Sequence, residues 1–138
     1  MKIQERFLKY VSYWTTSEDG KDTIPSTERQ FALADELAKE LKELGLVKVK
    51  RDEHCYVYGL LPATEGFEQK KPMGFIAHMD TAVAFSGKDV KPQVISDYNG
   101  EDVVLPATGD VIKVSDFPHL SSLKGRTLIT TDGTTLLG

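Results

Sequence analysis

Apolar side chains recur at helical spacing twice in the first third of the chain. Ile3, Phe7, Tyr10, Val11 and Trp14 fall on one face of a helix, which predicts an amphipathic helix over residues 3–15. Residues 17–25 are polar and include Gly20 and Pro25, the composition of a loop. A second stripe follows in Phe31, Ala34, Leu37, Ala38, Leu41 and Leu44. Thr27 with Gln30 three positions on predicts a capping box, and Ser26 competes as N-cap. Gly45 predicts a glycine C-cap. Both stripes are read as core-facing.

The period then changes. Leu46–Arg51 alternates apolar and basic residues, and Cys55–Leu61 is rich in Tyr and Val. Both predict strands. After a polar loop at Pro62–Lys70, the segment Lys71–Met79 holds Gly-Phe-Ile-Ala, which predicts a strand buried on both faces. Residues 93–96 and 102–105 flank Asp97-Tyr98-Asn99-Gly100, and Asn-Gly between apolar runs predicts a hairpin. Val111–Val114 reads as a short strand and Phe117–Leu123 as a turn of helix or a loop. Residues 127–131 and 134–137 flank Asp132-Gly133, a second predicted hairpin. The predicted fold is α/β: a mixed β-sheet packed by two N-terminal helices, with added β-hairpins. No glycine-rich G-x-G-x-x-G or Walker sequence follows a strand, which argues against a dinucleotide fold.

Composition narrows the class. A length of 138 residues favours a single domain over 1–138. The chain is 40% hydrophobic and 28% charged, ordinary for a soluble globular protein. Its net charge of -4 argues against a nucleic-acid partner. No apolar run approaches the roughly 18 residues that span a bilayer, so no membrane partner is expected. Lys2, Glu5 and Arg6 stand where a signal peptide would be apolar, and a cytoplasmic location is predicted. Cys55 is the single cysteine, which leaves no internal disulfide and assigns it to packing.

Candidate chemistry concentrates at one point. The apolar run from Met73 ends in His78-Met79-Asp80. In a strand, positions i and i+2 share a face, so an imidazole and a carboxylate would sit together at the strand end. A carboxylate that accepts the imidazole N–H fixes the tautomer that offers the other nitrogen to a metal. His54 and His119 lie in polar turns and are read as solvated. Cys55 follows His54 directly, and adjacent strand residues face opposite ways, so the two form no nucleophile–base pair. No G-x-S-x-G is present. Asp52-Glu53 and Glu101-Asp102 are read as solvated surface carboxylates.

Longer strings carry a family resemblance. They are Arg6-Phe7-Leu8-Lys9-Tyr10-Val11-Ser12, Pro25-Ser26-Thr27-Glu28-Arg29-Gln30 and Gly74-Phe75-Ile76-Ala77-His78-Met79-Asp80-Thr81. Ser86–Gln93 and Gly125–Gly138 add two more, which look specific to the family. Across its whole length the chain resembles the N-terminal part of the peptidase T family, tripeptide aminopeptidases of the zinc-dependent exopeptidase superfamily. Near Trp14-Thr15 the sequence departs from the family's frequent Asp-Thr.

The resemblance implies a partial zinc-exopeptidase catalytic domain acting on short peptides, tripeptides above all. It implies two zinc ions in the complete site. His78 would be a metal ligand, and Asp80 the catalytic-site carboxylate that holds its ring. In the family, the segment matching Thr127–Gly138 runs on into Ala-Asp-Asp-Lys, which holds the bridging Asp. The general base, the other ligands and a dimerisation domain also lie beyond it. The 138-residue piece is therefore expected to be inactive alone and to bind zinc weakly. Another reading is a non-catalytic folded fragment that forms homo-oligomers through an exposed sheet edge. A third keeps the superfamily and changes the substrate to that of a deacylase or carboxypeptidase. The Lys88–Gln93 and Thr127–Gly138 segments argue against it.

Overall fold

The computed structural model describes residues 1–137. Its elements run α1 (Ile3–Val11), α2 (Gln30–Glu43), β1 (Val47–Arg51), β2 (Val57–Leu60), β3 (Gln93–Ile95), β4 (Val103–Val104), β5 (Val111–Ile112), a 3₁₀-helix (Pro118–Leu123) and β6 (Leu128–Thr130). They fall into two compact units: Thr15–Asp80 forms one, and Met1–Trp14 with the chain from Thr81 onward forms the other. Among the described residues, no helix is long and apolar enough to cross a membrane.

In the Thr15–Asp80 unit, α2 packs on an antiparallel hairpin made by β1 and β2. The hairpin register pairs Val47 with Leu60 and Arg51 with Val57, with an irregularity between Val47 and Lys50. Lys48 there has a φ of 54°, a left-handed backbone of the kind some bulges use. Gly59 brings the layers together: a β-carbon on it would lie 2.9 Å from Leu46 Cδ2 and 3.3 Å from Leu41 Cδ1. Arg51 ties the hairpin to the helix from the side. Its Nε donates to Asp35 Oδ1 at 2.8 Å, and its guanidinium sits 4.8 Å from the Phe31 ring centroid. The turn between the strands is organised by Asp52, whose Oδ1 accepts the N–H groups of His54 and Tyr56. Cys55 is buried beneath this turn, and that burial raises its thiol pKa above the ordinary value, with Arg51 partly offsetting the effect.

The start of α2 differs from the predicted capping box. Thr27 Oγ1 donates to the Thr16 carbonyl at 3.1 Å, and Gln30 Nε2 donates to Thr27 Oγ1 at 3.0 Å. The two side chains meet each other and tie the approach to the helix back to Thr16, whose carbonyl also accepts from the Arg29 guanidinium. The end agrees with the glycine cap: Gly45 has a φ of 87°. The buried face is rotated from the predicted stripe. Leu33 and Ala34 are buried, whereas Leu44 is exposed.

In the other unit, α1 ends at Val11, earlier than the sequence predicts, with the Ser12 hydroxyl donating to the Lys9 carbonyl. None of its residues is buried, so the apolar stripe read as core-facing is not: Ile3 is 83% exposed and Phe7 39%. Tyr98, Val103 and Leu120 form the buried cluster, with Ile95, Ile112, Val114, Leu123 and Leu128 against it. Strand β3 pairs antiparallel with β6, and β4 with β5.

These pairings correct the predicted sheet. Among the described residues there are three separate two-stranded antiparallel sheets where the sequence predicts one mixed sheet. The Asn99-Gly100 turn does form, with Glu101 N donating to Asn99 Oδ1 and Gly100 at a φ of 87°. It does not close a β3–β4 hairpin. Tyr98 N donates to the Arg126 carbonyl and Gly125 N to the Tyr98 carbonyl, so the line of β3 continues onto the β6 segment. Because β6 is occupied in this way, Asp132-Gly133 closes no hairpin either. Asp132 instead forms a local turn: its Oδ1 accepts the Thr134 hydroxyl at 2.7 Å and the Thr134 N–H at 2.9 Å.

The largest correction concerns Lys71–Met79, predicted as a strand buried on both faces. Residues 71–80 carry no strand, turn or bend assignment, and residues 71–78 are all exposed. Phe75 is 90% exposed and Ile76 102%. The apolar pattern is that of a strand, but no neighbouring strand pairs with it among the described residues.

Gly59→Val places a branched side chain where Leu41 and Leu46 already sit. It is expected to cost about 1–3 kcal/mol, seen as a lower urea midpoint with an unchanged slope. The Asp132 carboxyl is held below its ordinary value of 3.8, first by the Thr134 hydroxyl and then by the Thr134 N–H. A carboxyl whose pKa is depressed on folding contributes stability that is present above the unfolded value and lost as pH falls through the folded one. Acid titration below about pH 3.8 should therefore loosen the 131–135 turn, and Asp132→Asn should flatten that step and destabilise the chain at neutral pH. Backbone amide NMR across an acid titration reads both.

Candidate metal-ligand pair at His78 and Asp80

His78 and Asp80 lie at the end of the unpaired 71–80 segment. The His78 Nδ1 lies 2.8 Å from the Asp80 carbonyl oxygen and 3.3 Å from Asp80 Oδ1. A carbonyl oxygen only accepts, so in this contact Nδ1 carries the proton and donates it. In the neutral ring the other nitrogen, Nε2, then keeps its lone pair. That is the tautomer a metal ligand requires, with the opposite nitrogen anchored by an oxygen. The main-chain carbonyl is the nearer anchor and the carboxylate the second.

The setting is open. The His78 side chain is 81% exposed and that of Asp80 41%. Any charge attraction between them is screened by solvent, so the contact orients the ring and adds little to stability. The strand argument from sequence puts the two side chains on one face of a paired, buried strand. The structure brings the same two residues together on a solvated segment that is not a strand.

The other titratable candidates have local roles. The His54 side chain is about half exposed, with Nε2 3.9 Å from Glu53 Oε1. The exposed His119 ring stands edge-on to Phe117, with centroids 6.5 Å apart. Asp102 Oδ1 accepts the Val114 N–H, and Glu101 Oε2 accepts from the Asn99 side-chain amide. Of these carboxylates, read from sequence as surface charge, Asp52 organises a turn, Glu101 braces the Asn99 side chain, and Asp102 bonds the distant Val114 main chain. For Asp52 the sequence signal is an aspartate opening a short turn, which accepts main-chain N–H groups two residues or more ahead.

Zinc takes three or four protein ligands. Among the described residues, no group of three or more His, Cys, Asp or Glu is arranged to hold a metal ion. The donors gathered at His78 and Asp80 fit one corner of a zinc site and do not fit a complete one.

No family model matches the chain. Sequence comparison finds relatives named Peptidase T. The protein of Caldanaerobacter subterraneus subsp. tengcongensis is 57% identical over 139 residues, covering 99% of this chain and 34% of that protein. That of Clostridium novyi is 51% identical, covering 99% and 33%, and that of Halothermothrix orenii is 51% identical, covering 99% and 34%. The chain spans about a third of the length of the curated relatives it matches. By sequence, the chain is a relative of peptidase T, matched over the third of that protein's length that it spans.

Proposed function

We propose that the chain supplies the His-x-Asp part of a zinc-dependent tripeptide aminopeptidase, within a zinc-exopeptidase catalytic domain. The observation that carries this reading is the anchored tautomer of His78, in a chain whose relatives are named Peptidase T. His78 Nε2 is the proposed ligand atom. Asp80 is proposed to hold the opposite ring nitrogen through its carbonyl and its carboxylate, so that the lone pair points in a fixed direction. A bound zinc would supply a water of lowered pKa and polarise the scissile carbonyl. The remaining ligands and the general base are proposed to come from the part of the protein that this chain does not span. The 138-residue chain alone is then a one-ligand site, with weak zinc binding and no peptidase activity.

A chimera tests this. The matching third of the Caldanaerobacter subterraneus protein is replaced by this chain, and release of the N-terminal residue from a tripeptide is measured. The chimera is expected to be active, to lose activity to a zinc chelator, and to regain it with added zinc. His78→Ala is expected to lower kcat/KM by about 100-fold or more. Asp80→Ala is expected to cost about 10–100-fold with the zinc affinity reduced. A folded chimera that keeps full activity with His78→Ala would sink the assignment.

A further inference from the structure

Asn99 is the only asparagine in the chain, and Gly100 follows it. The turn holds its side-chain amide by both ends. Glu101 N donates to Asn99 Oδ1 at 3.0 Å, and Asn99 Nδ2 donates to Glu101 Oε2 at 2.9 Å. Only an oxygen can accept the main-chain N–H, and only the nitrogen can donate to a carboxylate, so the amide has one orientation. The first bond closes a ring that runs from the side-chain carbonyl of Asn99 through the Asn99–Gly100 peptide to Glu101. Asn99 Cγ and the Gly100 nitrogen are both members of that ring. The Gly100 N–H itself donates to no group among the described residues. We infer that the folded turn promotes attack of the Gly100 nitrogen on Asn99 Cγ, which makes Asn99 a site of deamidation through a succinimide.

The Gly100 nitrogen gives up its proton to solvent base and forms a bond to Cγ. Negative charge develops on Oδ1, the atom to which the Glu101 N–H already points. A donor placed where charge develops favours the transition state over the ground state. The Cγ–Nδ2 bond then breaks, and Nδ2 takes a proton from solvent and leaves as ammonia. Water adds to one of the two ring carbonyls and opens the succinimide to aspartate or to isoaspartate. No oxidant, reductant or cofactor enters. Glycine at position 100 matters twice. It leaves the attacking nitrogen uncrowded, and it suits a backbone with a φ of 87°, where a β-carbon would lie 3.3 Å from Lys124 Cβ.

The Asp132-Gly133 turn shows what separates the two. Its side-chain oxygen is held in the same way, with the Thr134 N–H on Asp132 Oδ1 at 2.9 Å. There, however, the glycine N–H is already given to Thr131 Oγ1 at 3.3 Å. The Thr134 bonds also favour the ionised carboxylate, which is a poor electrophile and has no neutral group to lose. The product at Asn99 reaches the core. Tyr98 is 2% exposed, its hydroxyl donates to the Glu101 carbonyl, and its main chain bonds to Gly125 and Arg126. Isoaspartate routes the main chain through Cβ and lengthens it by one carbon between Tyr98 and Gly100, so these bonds cannot all be kept. The inference does not rest on the peptidase reading.

The test incubates the whole 138-residue chain in mildly alkaline buffer, folded and unfolded in guanidinium chloride, and follows Asn99 by peptide mapping with mass spectrometry. Conversion to a mixture of aspartate and isoaspartate is expected, about tenfold faster in the folded chain than in the unfolded one. Gly100→Ala is expected to slow conversion by about tenfold or more. The purified isoaspartate form is expected to unfold at lower denaturant than Asn99→Asp, which carries the same charge without the added carbon. A rate in the folded chain equal to or below that of the unfolded chain overturns the inference, because the turn would then protect Asn99. So does an isoaspartate form as stable as Asn99→Asp, because the modification would then leave the Tyr98 contacts intact.

Discussion

A two-stranded antiparallel ribbon satisfies only its inner edge, and its apolar face stays wet unless something covers it. The described residues build three such ribbons and no larger sheet, so cover decides what is ordered around each one. The β1–β2 ribbon is covered by α2, and the absence of a side chain at Gly59 allows Leu41 and Leu46 to approach. Val103 of β4 is covered by Tyr98 and Leu120. Where neither a second strand nor a covering layer is supplied, at residues 71–80, the most strand-like apolar run in the chain stands in water.

That exposed run ends in the proposed ligand pair, His78 and Asp80. An imidazole on a solvated, unpaired segment would ordinarily turn freely. The Asp80 carbonyl, 2.8 Å from Nδ1, fixes which nitrogen holds the proton. Orientation of the donor is thus encoded within three consecutive residues and does not require the sheet. Gathering of further donors is a long-range property, and no group of three forms among the described residues. The proposed site divides along this line: the anchored histidine is local, and the further donors would have to come from elsewhere.

Legibility in the sequence followed the same division. Helices α1 and α2 were readable because their apolar spacing and the Gly45 cap are local signals. Their details were not, since the burial of Leu33 in place of Leu44 depends on where the hairpin lies. The turns at Asn99-Gly100 and Asp132-Gly133 were readable as turns. The strands they would join were not, because Tyr98 is claimed by Gly125 and Arg126, far along the chain. The juxtaposition of His78 and Asp80 was readable from their spacing, although the route was different: a main-chain carbonyl serves as the nearer anchor in place of two side chains sharing a strand face. The relation to peptidase T was readable from strings of residues spread over the chain, and the relatives at 46–57% identity carry the same relation.

The most direct measurement is the protonation pattern of the neutral His78 ring in the metal-free chain, by long-range proton–nitrogen NMR correlation. The account predicts the proton on Nδ1, with Nε2 unprotonated and shifting when zinc is added. A neutral ring with its proton on Nε2 would contradict it, because the nitrogen assigned to the metal would then be occupied and the Asp80 carbonyl would anchor nothing.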